Sequence, residues 1–132
     1  MSERTANWQG MNWIRQEKRL AIYIRDGLAC AYCGDSVERG AMLTLDHVRP
    51  HSHGGSNEAD NLVTCCKRCN SSRGDRPVAR FARVVAAYLN HGAEAGEIIA
   101  HVRNCTRREL PMDDAKALIA RRGSVARVLA GM

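Results

Sequence analysis

Six cysteines in 132 residues include two pairs of identical spacing, Cys30-x2-Cys33 and Cys66-x2-Cys69. A Cys-x2-Cys turn points both sulfurs at one ion, and two such turns complete a tetrahedral four-thiolate shell, the usual closed site of structural zinc. The thiolates ionise as the metal binds, so binding energy becomes folding energy. The pairs stand further apart than in a simple zinc ribbon, so the clamp encloses a substantial insert. That insert contains Asp46, His47 and Asn61, and Asn70 directly follows the last cysteine of the set. Cys65 competes with Cys66 as a ligand, but only Cys66 keeps the two-residue spacing to Cys69. Cys65 and Cys105 then read as small buried hydrophobes.

The elements that must position these residues follow from periodicity and punctuation. Residues 14–26 read as a helix, with Ile14, Leu20, Ala21 and Ile24 near one face and Gly27 as its stop. Residues 42–48 suit a strand ended by Pro50, and residues 61–65 a second short strand. Between them lies a polar loop holding Gly54-Gly55. A helix opens at Lys67 and breaks at residues 74–77. The remainder reads as helices over 78–90, 93–104, 111–122 with Pro111 in the first turn, and a short last one capped by Ser124.

The stretches Leu45-Asp46-His47-Val48-Arg49-Pro50, Gly54-Gly55, Asn61-Leu62-Val63 and Cys66-Lys67-Arg68-Cys69-Asn70 together resemble the HNH endonuclease motif, in the branch of that family that carries a four-cysteine zinc site. Arg25-Asp26-Gly27 and the first cysteine knuckle agree with that branch, so the resemblance covers roughly residues 14–76. It implies an α+β fold with a ββα-metal (His-Me finger) core, flanked by an N-terminal helix and several C-terminal helices. Three segments are expected: a loose arm at 1–13, a nuclease core at 14–77 and a helical extension at 78–132 packed on it. It also implies that His47 is the general base, that Asn61 holds the loop bearing it, and that Asp46 and Asn70 ligate a catalytic divalent metal. The third position is often His in the family. Asn70 makes this the His-Asn-Asn variant and favours a hard, oxygen-preferring ion such as Mg²⁺ or Mn²⁺.

The chemistry of these side chains agrees with that implication. Phosphodiester hydrolysis needs an in-line water, a base for its proton, and a cation to hold charge on the phosphate and leaving oxygens. Neutral histidine, with an ordinary pKa of about 6.5, accepts a proton near neutral pH. Carboxylate and amide oxygens suit Mg²⁺. Strand alternation sends Asp46 and His47 to opposite sides, a difficulty relieved if the strand ends or twists there. His51 and His53 read as solvated loop residues, with phosphate or metal contact as the other reading. Tyr32 reads as packing.

The net charge is +6, and every basic residue except Lys18, Lys67 and Lys116 is arginine, whose planar fork matches phosphate oxygens. DNA is the expected partner, with contacts to its backbone expected among Arg49, Lys67, Arg68, Arg73 and Arg76. Arg103, Arg107, Arg108, Arg121, Arg122 and Arg127 read as a solvated face, or as an extension of that surface. No apolar run approaches the roughly 20 residues of a membrane span, and residues 1–9 lack an apolar signal core. The expectation is therefore a protein of the bacterial or phage-infected cytoplasm, where reduced thiols favour metal over disulfides. Its size suggests a stand-alone phage or prophage nuclease, monomeric or homodimeric. A catalytically silent zinc module that binds DNA or protein, and a nuclease acting on RNA, are the competing readings. Only an enzyme has use for a base and two oxygen ligands kept together.

Overall fold

The computed structural model describes residues 13–88 and 92–132. Of the expected loose arm only Trp13 falls within it; residues 1–12 and 89–91 lie outside the described residues. The first helix, α1 (Gln16–Arg25), buries Leu20, Ala21, Ile22, Tyr23 and Arg25. Gly27 follows it in the left-handed region at φ 84°, a conformation glycine adopts without a Cβ penalty. The chain then turns through the first cysteine knuckle.

Two strands, β1 (Leu43–His47) and β2 (Leu62–Cys66), pair antiparallel with Leu43 opposite Cys66 and His47 opposite Leu62. Residues 48–61 join them, with single 3-10 turns at His51–His53 and Ala59–Asn61. The helix α2 (Lys67–Arg73) begins directly where β2 ends, completing the ββα order.

Alternation along β1 decides what faces where. Thr44 and Asp46 face α2: Asn70 donates to Thr44 Oγ1 at 2.9 Å and Arg73 reaches the Asp46 carboxylate. Leu43 and Leu45 enter the core shared with α1. The sheet is thus covered on both sides. On one, Val63 and Cys65 join the paired cysteines, Tyr32, Phe81 and Val85 in one apolar cluster. On the other, Leu43, Leu45 and Leu62 pack with Leu20, Ile22 and Tyr23.

The C-terminal half is divided between these two sides. Phe81, Ala82 and Val85 of α3 (Val78–Tyr88) and Ile98, Val102 and Cys105 of α4 (Ala95–Arg107) pack into the cysteine-side cluster. Burying an aliphatic or aromatic side chain of this kind contributes about 1.5–3 kcal/mol. Ala115 of α5 (Met112–Arg122), with Val125 and Val128 of α6 (Val125–Ala130), packs against α1. Gln16 Oε1 accepts from the Val125 backbone N–H at 2.9 Å, so the last helix is tied to the first. As expected, Ser124 caps α6, accepting from the Arg127 N–H at 3.2 Å.

A buried ion pair fastens α1 to the sheet. Arg25 donates to both Asp26 oxygens, at 2.7 and 3.2 Å, and to the carbonyls of Leu62 and Ala59 at 2.7 and 2.9 Å. Asp26 Oδ2 accepts the Thr64 N–H at 2.8 Å. Both charges are paired and bonded to backbone, the condition under which burial of charge is tolerated. Among the described residues no helix is long and apolar enough to cross a membrane.

Candidate functional site

The two cysteine knuckles share one local device. The Cys33 N–H points at Cys30 Sγ at 3.5 Å, and the Cys69 N–H at Cys66 Sγ at 3.4 Å. In the second knuckle Cys66 is also the N-cap of α2, so the helix start itself folds the turn. Gly34, in the left-handed region at φ 80°, closes the first. The four buried sulfurs all lie within 4.8 Å of one another, and Cys33 and Cys66 are 3.7 Å apart. A tetrahedron of sulfurs about 2.3 Å from a central ion has edges of about 3.8 Å, so the set fits a single metal ion. Cys65 Sγ instead points to the Cys66 carbonyl at 3.4 Å, and with Cys105 it is buried in the apolar cluster. The Arg68 guanidinium rests 3.8 Å from Cys33 Sγ.

Asp46, His47 and Asn70 meet at the C-terminal end of β1, where they line one cleft of about 320 Å³ with His51, Ser52 and Asp75. The opposed directions expected of Asp46 and His47 persist, but His47 is the last residue of the strand. Asp46 reaches the cleft from the α2 side and His47 from the α1 side.

Asp46 is 6% exposed, and its Oδ2 accepts from Tyr32 Oη at 2.7 Å and from Arg73 Nη1. Burial pushes its carboxyl above the ordinary value, while Arg73 and Tyr32 oppose the rise by stabilising the anion. Burial, with the Asp46 charge adding to it, also holds the Tyr32 phenol well above its ordinary value, so it stays a donor. Asn70 Nδ2 donates to Thr44 Oγ1 and to the Leu45 carbonyl at 3.1 Å. With the amide nitrogen turned inward, the oxygen is the atom left to serve as acceptor or ligand. A carboxylate and an amide oxygen on one open cleft form a donor set that a hard divalent cation fits.

Asn61 clamps the loop after the base position. Its Oδ1 accepts the Arg49 N–H at 2.8 Å, and its Nδ2 donates to the carbonyls of Arg49 and Ser56 at 3.1 and 2.8 Å. A Cβ at Gly55 would lie 1.7 Å from the Arg49 carbonyl oxygen and 2.9 Å from Asn61 Nδ2. The clamp therefore closes only over glycine.

The basic residues divide. Arg49, Lys67 and Arg68 are exposed, and Arg49 Nε donates to the His53 carbonyl at 2.9 Å. Arg76 is half-buried, donates to the Ser72 carbonyl and lies 5.4 Å from the Phe81 ring centre. Arg73 departs from the expectation of a backbone contact. It is 1% exposed, and its nitrogens are spent on Asp46, on the carbonyls of His47 and Val48 at 2.7 and 2.6 Å, and on the Arg76 carbonyl at 2.9 Å. The helix start at Lys67 sends Arg73, about one and two-thirds turns on, inward against β1. His51 and His53 are exposed, and His53 lies 3.7 Å from the Asp75 carboxylate. The C-terminal arginines from Arg103 to Arg127 named above are exposed.

Three partners of the site escape sequence reasoning. Tyr32 does pack, edge-on to Phe81 at 5.0 Å, but it also donates to Asp46. Asn57 Oδ1 lies 2.7 Å from His47 Nε2, and the Trp13 ring centre is 5.1 Å from that of His47. No local pattern marks Trp13 or Asn57; only the folded chain brings them to the imidazole.

Comparison with known proteins bears on this arrangement. Residues 30–76 match the family described as HNH endonuclease. The chain is 38% identical over 60 residues to the CRISPR-associated endonuclease Cas9 of Corynebacterium diphtheriae, a match covering 45% of this chain and 5% of that protein. Against Cas9 of Actinomyces naeslundii it is 41% identical over 66 residues, covering 49% of this chain and 6% of the relative. The chain thus spans only a small part of the length of these relatives. The crystal structure of the Type II-C Cas9 enzyme from Actinomyces naeslundii aligns with a TM-score of 0.53 at 28% identity, over 94% of this chain and 12% of that one. The likeness in fold therefore extends beyond the motif into the flanking helices. Residues 30–76 form an HNH endonuclease domain.

Proposed function

We propose, from the presence of that domain, that this protein is a metal-dependent DNA endonuclease hydrolysing phosphodiester bonds, by nicking or by double-strand cutting. The observation that carries the proposal is the convergence of Asp46, His47 and Asn70 on one open cleft beside a closed four-sulfur site. His47 takes the proton of the attacking water. Asp46 and Asn70 are the residues that would hold Mg²⁺ or Mn²⁺. When bound, that ion supplies charge stabilisation at the phosphate and the leaving 3′ oxygen. Asn61 keeps the loop after His47 in register through its three backbone bonds. Arg73 and Tyr32 keep the buried Asp46 carboxylate aimed at the cleft. Zinc is the ion assigned to Cys30, Cys33, Cys66 and Cys69, on their geometry and on sulfur chemistry.

DNA is the substrate proposed. The exposed cations Arg49, Lys67 and Arg68 are the candidates for its backbone, with the half-buried Arg76 beside them. One cleft cuts one strand, so a monomer nicks and a dimer makes double-strand breaks.

A second reading draws on Arg73, whose guanidinium already neutralises the carboxylate that would bind the ion. On that reading the chain is a catalytically silent zinc module that binds DNA or protein. A supercoiled-plasmid assay with Mg²⁺, Mn²⁺ or EDTA separates the two. Relaxed or linear product is expected from wild type with either ion. It is expected to fall by at least about 100-fold in folded, zinc-replete His47→Ala, the lower end of what a general base contributes. Folded wild type that binds DNA but cuts with neither ion would favour the silent module, or a nuclease that needs a partner or a special substrate.

A further inference from the structure

His47 is held from two sides by residues outside the motif that marks it. Its Nε2 lies 2.7 Å from Asn57 Oδ1. One side of its ring lies against the Trp13 indole, centres 5.1 Å apart and planes inclined by 31°. Asn57 is itself anchored from α1, because Lys18 Nζ donates to its backbone oxygen at 2.9 Å. Trp13, Lys18 and Asn57 together line a second cleft of about 520 Å³. This is a different device from the Asn61 clamp, whose bonds go to loop backbone and not to the ring.

The chemistry of the contact fixes a proton. An amide oxygen only accepts, so Nε2 must carry the ring hydrogen. A neutral imidazole then has its lone pair on Nδ1. Among the described residues none bonds Nδ1, the nitrogen that this tautomer leaves as the acceptor. The indole leaves the ring few orientations, because a tilted ring contact on one side and a hydrogen bond at the edge together define its plane.

We propose that Asn57 and Trp13 are the positioning residues of His47: Asn57 selects the tautomer that makes Nδ1 the proton acceptor, and Trp13 sets the plane of the ring. The inference rests on reading His47 as the base, and it adds two residues that no motif supplies. Neither touches the substrate phosphate in this role, and both act through the imidazole.

The test uses the full zinc-loaded chain, ¹⁵N-labelled at histidine, without added Mg²⁺ or Mn²⁺. A long-range ¹H–¹⁵N spectrum reports each ring's tautomer, and His47→Ala identifies the His47 signals by their loss. The expected result is a single Nε2–H tautomer in wild type and a mixture in Asn57→Ala, with the backbone spectrum otherwise kept. Plasmid cleavage by Asn57→Ala should lose on the order of 10- to 100-fold in kcat with KM within about two-fold, the size of effect when a group orienting a functional histidine is removed. Asn57→Asp, which keeps an acceptor oxygen in place, should restore the tautomer and most of the rate. Trp13→Ala should lose less than Asn57→Ala, and Trp13→Phe should recover that loss. An Nδ1–H tautomer in wild type, or an unchanged tautomer and kcat in Asn57→Ala, overturns the proposal. A wild type that does not cut DNA, yet loses its Nε2–H tautomer in Asn57→Ala, upholds the positioning and overturns the nuclease reading instead.

Discussion

The four-sulfur site and the cleft at the end of β1 are built from the same ββα unit by opposite rules. The sulfurs are buried, come from two knuckles of equal spacing, and lie within 4.8 Å of one another. The cleft mixes a buried carboxylate, a half-exposed imidazole and an amide, each from a different structural situation, and it stays open to solvent. A closed shell holds an ion and does nothing else with it; an open one leaves coordination positions for water and substrate. The contrast teaches where each kind of site spends its stability. The first would add metal-binding energy to a small core. The second consumes stability, because Asp46 must be kept buried and compensated.

That contrast can be broken from the closed side with the largest effect. Removing one sulfur with Cys66→Ala should abolish tight zinc binding and with it the cooperative unfolding transition. Structural zinc contributes about 10–16 kcal/mol in small domains, more than a domain of this size has in reserve. Metal analysis after gel filtration and a thermal melt followed by circular dichroism check both. A zinc-free Cys66→Ala chain with a wild-type melt would remove the distinction.

From the open side the largest effect belongs to Arg73. Arg73→Met leaves the Asp46 carboxylate buried without its counter-charge, together with unpaired carbonyls of His47 and Val48. A loss of about 3–5 kcal/mol is expected, with zinc retained, and urea denaturation measures it. A smaller loss is expected from Gly55→Ala. The added Cβ collides with the Arg49 carbonyl, so the loop must shift. Overpacking of this kind costs about 1–3 kcal/mol, and the displaced clamp should lower cleavage while leaving zinc content unchanged. A Gly55→Ala protein with wild-type stability and rate would show that the clamp does not govern the site.

Sequence reading reached the two regions unequally, for a physical reason. The cysteine set is local: each knuckle spans four residues, and matching spacing is visible without a fold. The strands, α2 and the cap at Ser124 are local as well, and the structure places them within a residue or two of where periodicity and capping put them. The cleft's support is long-range. Tyr32 is 14 residues from Asp46, and Arg73 is 27 residues from it. Asn57 sits on the far side of the loop from His47, and Trp13 precedes the motif altogether. Arg73 looked like a surface cation because arginine in a basic stretch usually is one. Only the inward face of a helix starting at Lys67 shows it buried. The C-terminal helices were legible as helices, but not their division between the two sides of the sheet, because each apolar stripe is compatible with either core.

The most direct test is to strip the protein of weakly held divalent ions and follow zinc and cleavage together. Dialysis against EDTA at neutral pH, followed by elemental analysis and the plasmid assay, separates the sites in one experiment. One zinc per chain should survive while cleavage disappears, and Mg²⁺ or Mn²⁺ should restore cutting without changing the zinc content or the circular dichroism spectrum. Cleavage that persists after dialysis with zinc alone in the protein, or that is lost and regained only with zinc, would contradict the separation of a closed structural site from an open reactive one.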